Sequence, residues 1–311
     1  MDLNIKGIIP PMVTPFLENG ELDLIGLNNL IEHLINGGVH GIFLLGTNGE
    51  GPSMPYKLRK QLIEEACKII DKRLPVYVGI TDSVLEYSVE IAHVAKDAGA
   101  DVVVVAPPYY FPLGEEELEV YFEELIKQLP LPFVLYNMPS CTKIDLSIEF
   151  VKKFRKLGAL GIKDSSGDLD YLQSLTKAFK DDPEFSIMVG TELYIPETIM
   201  AGGHGSIAGG ANFYPELFVA YYNASVAKDK ERLELLRKEV ALLYETIYAV
   251  GDQFSRFTKG TKGALSVLGI CEDHMLPPLK RFNDDERALL AKYISEYKKK
   301  NILNELSPWH S

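Results

Sequence analysis

Lys163 completes a short apolar run, Leu160-Gly161-Ile162, and is followed by Asp164-Ser165-Ser166-Gly167-Asp168. A lysine ending an apolar strand is unusual, because burying an ammonium is costly. Stripped of water, a lysine becomes available as a neutral amine that can attack a ketone and form a Schiff base. The alternatives are a snorkelling side chain or an ion pair with Asp164, and the strand-end position weighs for chemistry. A second run ends in Tyr136-Asn137-Met138-Pro139. A tyrosine there relays protons when it is hydrogen-bonded to a hydroxyl, and otherwise is a buried aromatic with a satisfied OH. Gly46-Thr47-Asn48-Gly49-Glu50-Gly51 follows another run. Such a loop aims N–H groups and a hydroxyl at an anionic group such as a carboxylate, or is simply a tight turn. Glu50 reads equally as a helix-start or structural acid. Gly190-Thr191-Glu192 and the glycines between Gly202 and Gly210 permit close approach of backbone to ligand. Glu192 would repel phosphate and suits sugar hydroxyls. His204, ahead of its strand, reads as structural. Tyr109 and Tyr110, in a Pro-rich loop, fit a lid, a subunit contact or local packing.

These residues need a frame, and the sequence supplies one. Apolar runs at Gly7–Val13, Gly41–Leu45, Pro75–Ile80, Asp101–Ala106, Pro132–Tyr136, Leu160–Lys163, Phe185–Val189 and Gly205–Ala208 are mostly continuous, as in strands buried on both faces. Between them lie segments of helical period. Leu58, Leu62, Ile63, Ala66 and Ile69 share one face, with Arg59, Lys60, Glu64 and Glu65 opposite. Glu115 to Leu129 and Leu169 to Phe179 behave alike, and glycine breaks at Gly37-Gly38, Gly99, Gly158 and Gly202-Gly203 precede the next strand. Strand-helix units in series with right-handed crossovers predict an α/β fold, a (β/α)8 TIM barrel. An open doubly wound sheet lacks its Gly-x-Gly-x-x-Gly fingerprint after the first strand. Residues 213–266 and 286–297 read as helices. The expected division is a barrel over 1–225 and a C-terminal helical extension over 226–311 packed on it, its last residues, 301–311, fraying.

The 311-residue length suits one large barrel with an appendage or two ordinary domains. With 46% hydrophobic and 24% charged residues the chain is globular and not disordered. Acids outnumber bases 44 to 32, a net charge of -12, which argues against nucleic acid as a partner. Cys67, Cys141 and Cys271 form no CxxC pair, which argues against a disulfide framework or thiolate zinc site and fits a reducing cytoplasm. No stretch approaches the ~20 apolar residues of a membrane helix, and residues 1–15 do not resemble a signal peptide, so no membrane partner is expected.

Gly-Thr-x-Gly-Glu, Tyr-Asn-x-Pro and Gly-Ile-Lys-Asp, in this order and at these strand ends, resemble the dihydrodipicolinate synthase and N-acetylneuraminate lyase superfamily, from Gly7 to about Gly269. The resemblance implies a pyruvate-dependent, Schiff-base-forming lyase on a (β/α)8 barrel with a helical C-terminal part. Lys163 matches the Schiff-base lysine, Tyr136 the proton-shuttling tyrosine, and Thr47, with the backbone of Asn48, the carboxylate-binding loop. Ile207 sits where a backbone carbonyl lies near the bound keto acid. Gly190 and Glu192 resemble sugar-lyase residues that meet a polyhydroxyl chain, and Tyr110 a tyrosine that reaches a neighbouring subunit's site. A homotetramer built as a dimer of dimers is common in the family. There are departures. Cys141 stands where the synthases carry an Arg that grips the aldehyde's carboxylate, a bidentate task Cys cannot do. Asn48 replaces the second Thr of a Thr-Thr pair, and Met138 the second Tyr of the Tyr-Asn-Tyr-Pro found in some archaeal aldolases.

The expectation is a class I aldolase, cytoplasmic, that cleaves a 2-keto-3-deoxy sugar acid to pyruvate and an aldehyde. It would use no metal or organic cofactor, since the imine on Lys163 is the electron sink. The alternatives are condensation of pyruvate with aspartate semialdehyde, N-acetylneuraminate cleavage, and, from another class, a non-catalytic sugar-acid sensor.

Overall fold

The computed structural model describes residues 5–299 of the chain, so the fraying expected at 301–311 lies outside the described residues. Each apolar run becomes one strand of an eight-stranded parallel sheet. The strands are β1 (Gly7–Ile8), β2 (Ile42–Leu44), β3 (Val76–Gly79), β4 (Val102–Val105), β5 (Phe133–Asn137), β6 (Gly161–Asp164), β7 (Ser186–Val189) and β8 (Gly205–Ser206). Neighbours in sequence are neighbours in the sheet, and β1 pairs with β8. The helices between strands are α1 (Leu24–Asn36), α2 (Tyr56–Ile70), α3 (Leu85–Ala98), α4 (Glu115–Ile126), the short α5 (Pro139–Thr142), α6 (Ile148–Lys156), α7 (Leu169–Ala178) and α8 (Ile195–Met200). After β8 come α9 (Pro215–Ala227), α10 (Lys230–Glu245), α11 (Arg256–Val267) and α12 (Asp284–Lys299). The fold is a (β/α)8 barrel with C-terminal helices.

The first strand is shorter than the run Gly7–Val13 predicts. Pro10 and Pro11 have no N–H to give a ladder, so regular pairing stops at Ile8. The barrel closes there through single hydrogen bonds: His40 N–H donates to the Ile8 carbonyl at 2.8 Å, Phe43 N–H to Pro10 at 3.0 Å and Met12 N–H to Phe43 at 2.9 Å. The eighth strand is similarly brief, although Ile207 N–H still reaches the Val189 carbonyl at 2.9 Å.

Alternation along the strands sorts side chains into two layers. Ile9, Phe43, Tyr77, Val102, Val104, Val134, Tyr136 and Met188 fill the barrel interior. Ile42, Leu44, Val103, Val105, Leu135, Ile162 and Val189 point the other way, into the larger core under the helices. The helices start on side-chain caps where the sequence offers them. Asp23 accepts from Gly26 N–H at 2.9 Å, Ser147 from Phe150 N–H at 3.0 Å and Asp229 from Arg232 N–H at 3.1 Å. The Gly99 break ends α3 at a φ of +92°, which a residue with a Cβ adopts only with strain. His204 is structural, as expected: its Nδ1 accepts from Ile187 N–H at 3.1 Å. Among the described residues no helix is long and apolar enough to cross a membrane.

Candidate active site

Register alone brings two of the sequence candidates together. On adjacent strands, Tyr136 is the partner of Lys163, and on the other side Lys163 pairs with Met188. All three therefore point into the barrel interior, at the C-terminal end where barrel chemistry is sited. Lys163 is 3% exposed. Its Nζ lies 4.1 Å from the centre of the Tyr136 ring and 5.1 Å from that of Phe43. The anticipated alternative, an ion pair with Asp164, is not formed. Asp164 faces away, accepting from Asn137 Nδ2 at 3.0 Å, from Ser166 N–H at 3.2 Å and from Ser166 Oγ at 3.0 Å. Asn137 also accepts from Leu146 N–H at 3.1 Å, so the Asn of Tyr-Asn-x-Pro ties strand ends and leaves the chemistry to its neighbour.

The Tyr136 hydroxyl lies 3.5 Å from Thr47 Oγ1, at the long end of hydrogen-bond distance. Thr47 sits in a loop under strain. Leu45 and Glu50 have φ of +59° and +58°, left-handed values that cost a non-glycine residue roughly 1–3 kcal/mol and persist only where surroundings enforce them. The loop is pinned from outside: Thr14 Oγ1 donates to the Gly49 carbonyl at 2.7 Å, and Thr258 Oγ1 to Asn48 Oδ1 at 3.4 Å. Glu50 is a structural acid. Its carboxylate pairs with Lys262 at 2.6 Å, both side chains wholly buried, and accepts from Leu276 N–H at 3.0 Å. Burial pushes the Lys262 ammonium below the usual lysine range, an effect the facing carboxylate opposes.

A cavity of about 550 Å³ opens over these groups, within the range of small-molecule sites. Lys163, Tyr136, Thr47, Asn48, Ile207, Gly190 and Glu192 all line it. A Cβ at Gly190 would lie 2.1 Å from Ser165 Oγ, so the Ser165 side chain would have to move. Tyr110 is not in the cavity. It is 80% exposed, edge-on to Phe111. Its neighbour Tyr109 instead lines a smaller space of about 280 Å³ behind Tyr136 and Thr47.

The helices after the barrel supply the rest of the wall, among them Tyr244, Tyr248, Phe257, Thr258 and Thr261. Sequence reasoning missed these. One signal was available: Thr258, Thr261 and Lys262 recur at helical spacing as a polar stripe in α11, and all three are buried. Glu192 is held by this wall, its Oε1 accepting from Gly210 N–H at 2.5 Å and from the Tyr248 hydroxyl at 3.2 Å. Burial pushes its carboxyl up to about 7, and the donors from Gly210 and Tyr248 only partly offset this. The linkage follows from the direction of the shift. Folding takes up a proton at Glu192 between its ordinary value of 4.5 and about 7, so the stability it contributes is fully present below 4.5 and is lost as the pH rises through 7. A glutamine keeps an acceptor for both donors. Glu192→Gln is therefore expected to be more stable than wild type at pH 8, by on the order of 3 kcal/mol, and to match it near pH 4.5. Denaturant titrations at the two pH values check this; an equal gap at both would refute it.

Among the described residues no group of three or more His, Cys, Asp or Glu side chains is arranged to hold a metal ion. Of the Asp, Glu, Lys, Arg and His side chains lining the cavity, Glu50 is already paired outside it, which leaves the amine of Lys163 and the buried carboxyl of Glu192. Hydroxyls dominate the remaining polar surface: Thr47, Ser165, Ser166, Thr191, Tyr244 and Tyr248.

Residues 4–297 match the model of the dihydrodipicolinate synthetase family. The chain is 33% identical over 286 residues to a probable 2-dehydro-3-deoxy-D-pentonate aldolase, YjhH, of Escherichia coli K12, covering 91% of this chain and 94% of that one. Among solved structures, a dihydrodipicolinate synthase from Bacteroides thetaiotaomicron superposes with a TM-score of 0.92 at 46% identity, covering 95% of this chain and 100% of that one. YagE, a prophage protein of E. coli K12 solved in complex with pyruvate, superposes at 0.89 with 30% identity, covering 94% and 99%.

Proposed function

The chain belongs to the dihydrodipicolinate synthetase family of pyruvate-dependent lyases and aldolases, and from that premise we propose that it cleaves a 2-keto-3-deoxy sugar acid to pyruvate and an uncharged hydroxyaldehyde, with Lys163 as the Schiff-base residue. In the cleavage direction the unprotonated amine of Lys163 attacks the C2 ketone. Tyr136 protonates the carbinolamine hydroxyl, water leaves, and an iminium forms. The C4 hydroxyl then gives its proton to the Tyr136 phenolate, the C3–C4 bond breaks, and its electrons pass into the iminium to make an enamine. The aldehyde departs, C3 takes up a proton, and water releases pyruvate. Splitting one hard step in this way needs an electron sink, which the imine provides. The substrate carboxylate is assigned to Thr47 Oγ1 and the amides of Thr47 and Asn48.

One observation carries the choice of acceptor. The cavity is rich in hydroxyls, and Lys163 is the one basic side chain among the described residues that line it, so a second anionic group would have no cationic partner there. Cys141 lies in its wall, where a guanidinium would be needed to hold a second carboxylate. The other reading, condensation of pyruvate with aspartate semialdehyde, is favoured by the 46% identity to the Bacteroides structure of that name. The exposed Tyr110 and Phe111 support a homotetramer in which this loop meets a second copy.

The two readings separate on acceptor kinetics. With pyruvate, glycolaldehyde or glyceraldehyde is expected to show a kcat/KM at least about a hundredfold above that of aspartate semialdehyde, and Cys141→Arg to narrow the gap by about tenfold or more. Faster turnover of aspartate semialdehyde by the wild type would replace the sugar-acid reading with the synthase one.

A further inference from the structure

The wholly buried ion pair between Lys262 and Glu50 has no place in the chemistry above, yet it lies directly under the loop that carries Thr47. Three observations meet there. Glu50 occupies a left-handed backbone conformation that its own side chain does nothing to favour. That side chain is fully committed, one oxygen to Lys262 Nζ and the other to Leu276 N–H. Lys262 in turn donates to the His274 carbonyl and stands over the Phe16 ring, 4.4 Å from its centre. The pair thus clamps the loop after β2 to α11 and to residues 274–276.

We propose that Lys262 is a positioning residue for carboxylate binding: by holding Glu50, it keeps the Gly46–Gly51 loop in the strained form that presents Thr47 and the backbone of Asn48 to the keto acid. The inference rests on the assignment of that loop to the substrate carboxylate. Without the ammonium, the buried carboxylate is uncompensated and the loop relaxes toward unstrained backbone, so the hydroxyl and amides no longer converge. The loss falls on binding of the keto acid, because Lys163 and Tyr136 stand on β6 and β5, away from the clamp. A second contact points the same way: Thr258, one turn before Lys262, touches Asn48.

The experiment is borohydride trapping on the full chain over a range of pyruvate concentrations, read by intact mass, with thermal melts of each variant. In Lys262→Met the pyruvate concentration for half-maximal trapping is expected to rise about tenfold or more, with the trapping rate at saturation within about threefold of wild type. If the uncompensated Glu50 prevents a cooperative melt, Glu50→Gln/Lys262→Met removes both charges and is expected to fold with the same raised half-saturation. An unchanged half-saturation in either folded variant overturns the proposal, as does a loss confined to the saturating rate. Failure of the wild type to form any adduct is a different result: it removes the Schiff-base reading itself.

Discussion

Lys163→Ala is expected to lose turnover by roughly four orders of magnitude or more, since no other lysine lines the cavity among the described residues. Borohydride with pyruvate should add mass to the wild type and none to the variant. An adduct that persists in Lys163→Ala would place the imine elsewhere and overturn the assignment. The structure makes a paired statement about stability. Lys163 is buried on two aromatic rings and makes no ion pair among the described residues. A polar amine buried in such a place without an ion pair destabilises the fold that holds it. Lys163→Met, which keeps the packing and removes the amine, should therefore melt at or above the wild-type temperature while being equally inactive. That combination separates a functional lysine from one kept for the fold, as a structural ammonium would lower the melting temperature when removed.

Tyr136→Phe carries the second large effect. The ring under Lys163 is retained, so the substitution isolates the hydroxyl that faces Thr47 at 3.5 Å. Loss of a positioned proton relay typically costs about 10²–10⁴-fold, and kcat for the sugar acid should fall in that range with KM changed little. Trapping with pyruvate should still reach completion on long incubation, because the amine and the carboxylate seat are intact, but at a lower rate. A kcat within threefold of wild type would remove Tyr136 from the proton path, leaving it as the aromatic floor under the lysine.

Most of the frame could be read from the sequence, because a strand buried on both faces leaves a continuous apolar run and a glycine marks the turn back from a helix. The run Gly7–Val13 overstates the first strand, because apolar character continues through Pro10 and Pro11 whereas pairing needs the N–H groups those residues lack. Lys163 stood out for a physical reason: a cation ending an apolar run is costly and calls for an explanation. Glu192 was legible as a residue of the site, but not its burial or its hydrogen bond with Tyr248, 56 positions away. Thr258 and Lys262 were hidden differently. Their partners Asn48 and Glu50 lie more than 200 positions upstream, and local periodicity cannot register a contact across such a span. Tyr110 reads as an aromatic in a Pro-rich loop, yet within one chain it does not meet the cavity.

The clamp between Glu50 and Lys262 also orders events in time. Its two halves are 212 positions apart, so at about 5–20 residues per second a ribosome takes roughly 10–40 s to make the second after the first. All the strands, Lys163 and Tyr136 among them, leave the ribosome before α11 does. In the later part of that interval, after Lys163 has been made and before Lys262, Glu50 has no ion-pair partner to fix the loop after β2. The loop that carries Thr47 is therefore clamped only once α11 has been made and docked against it.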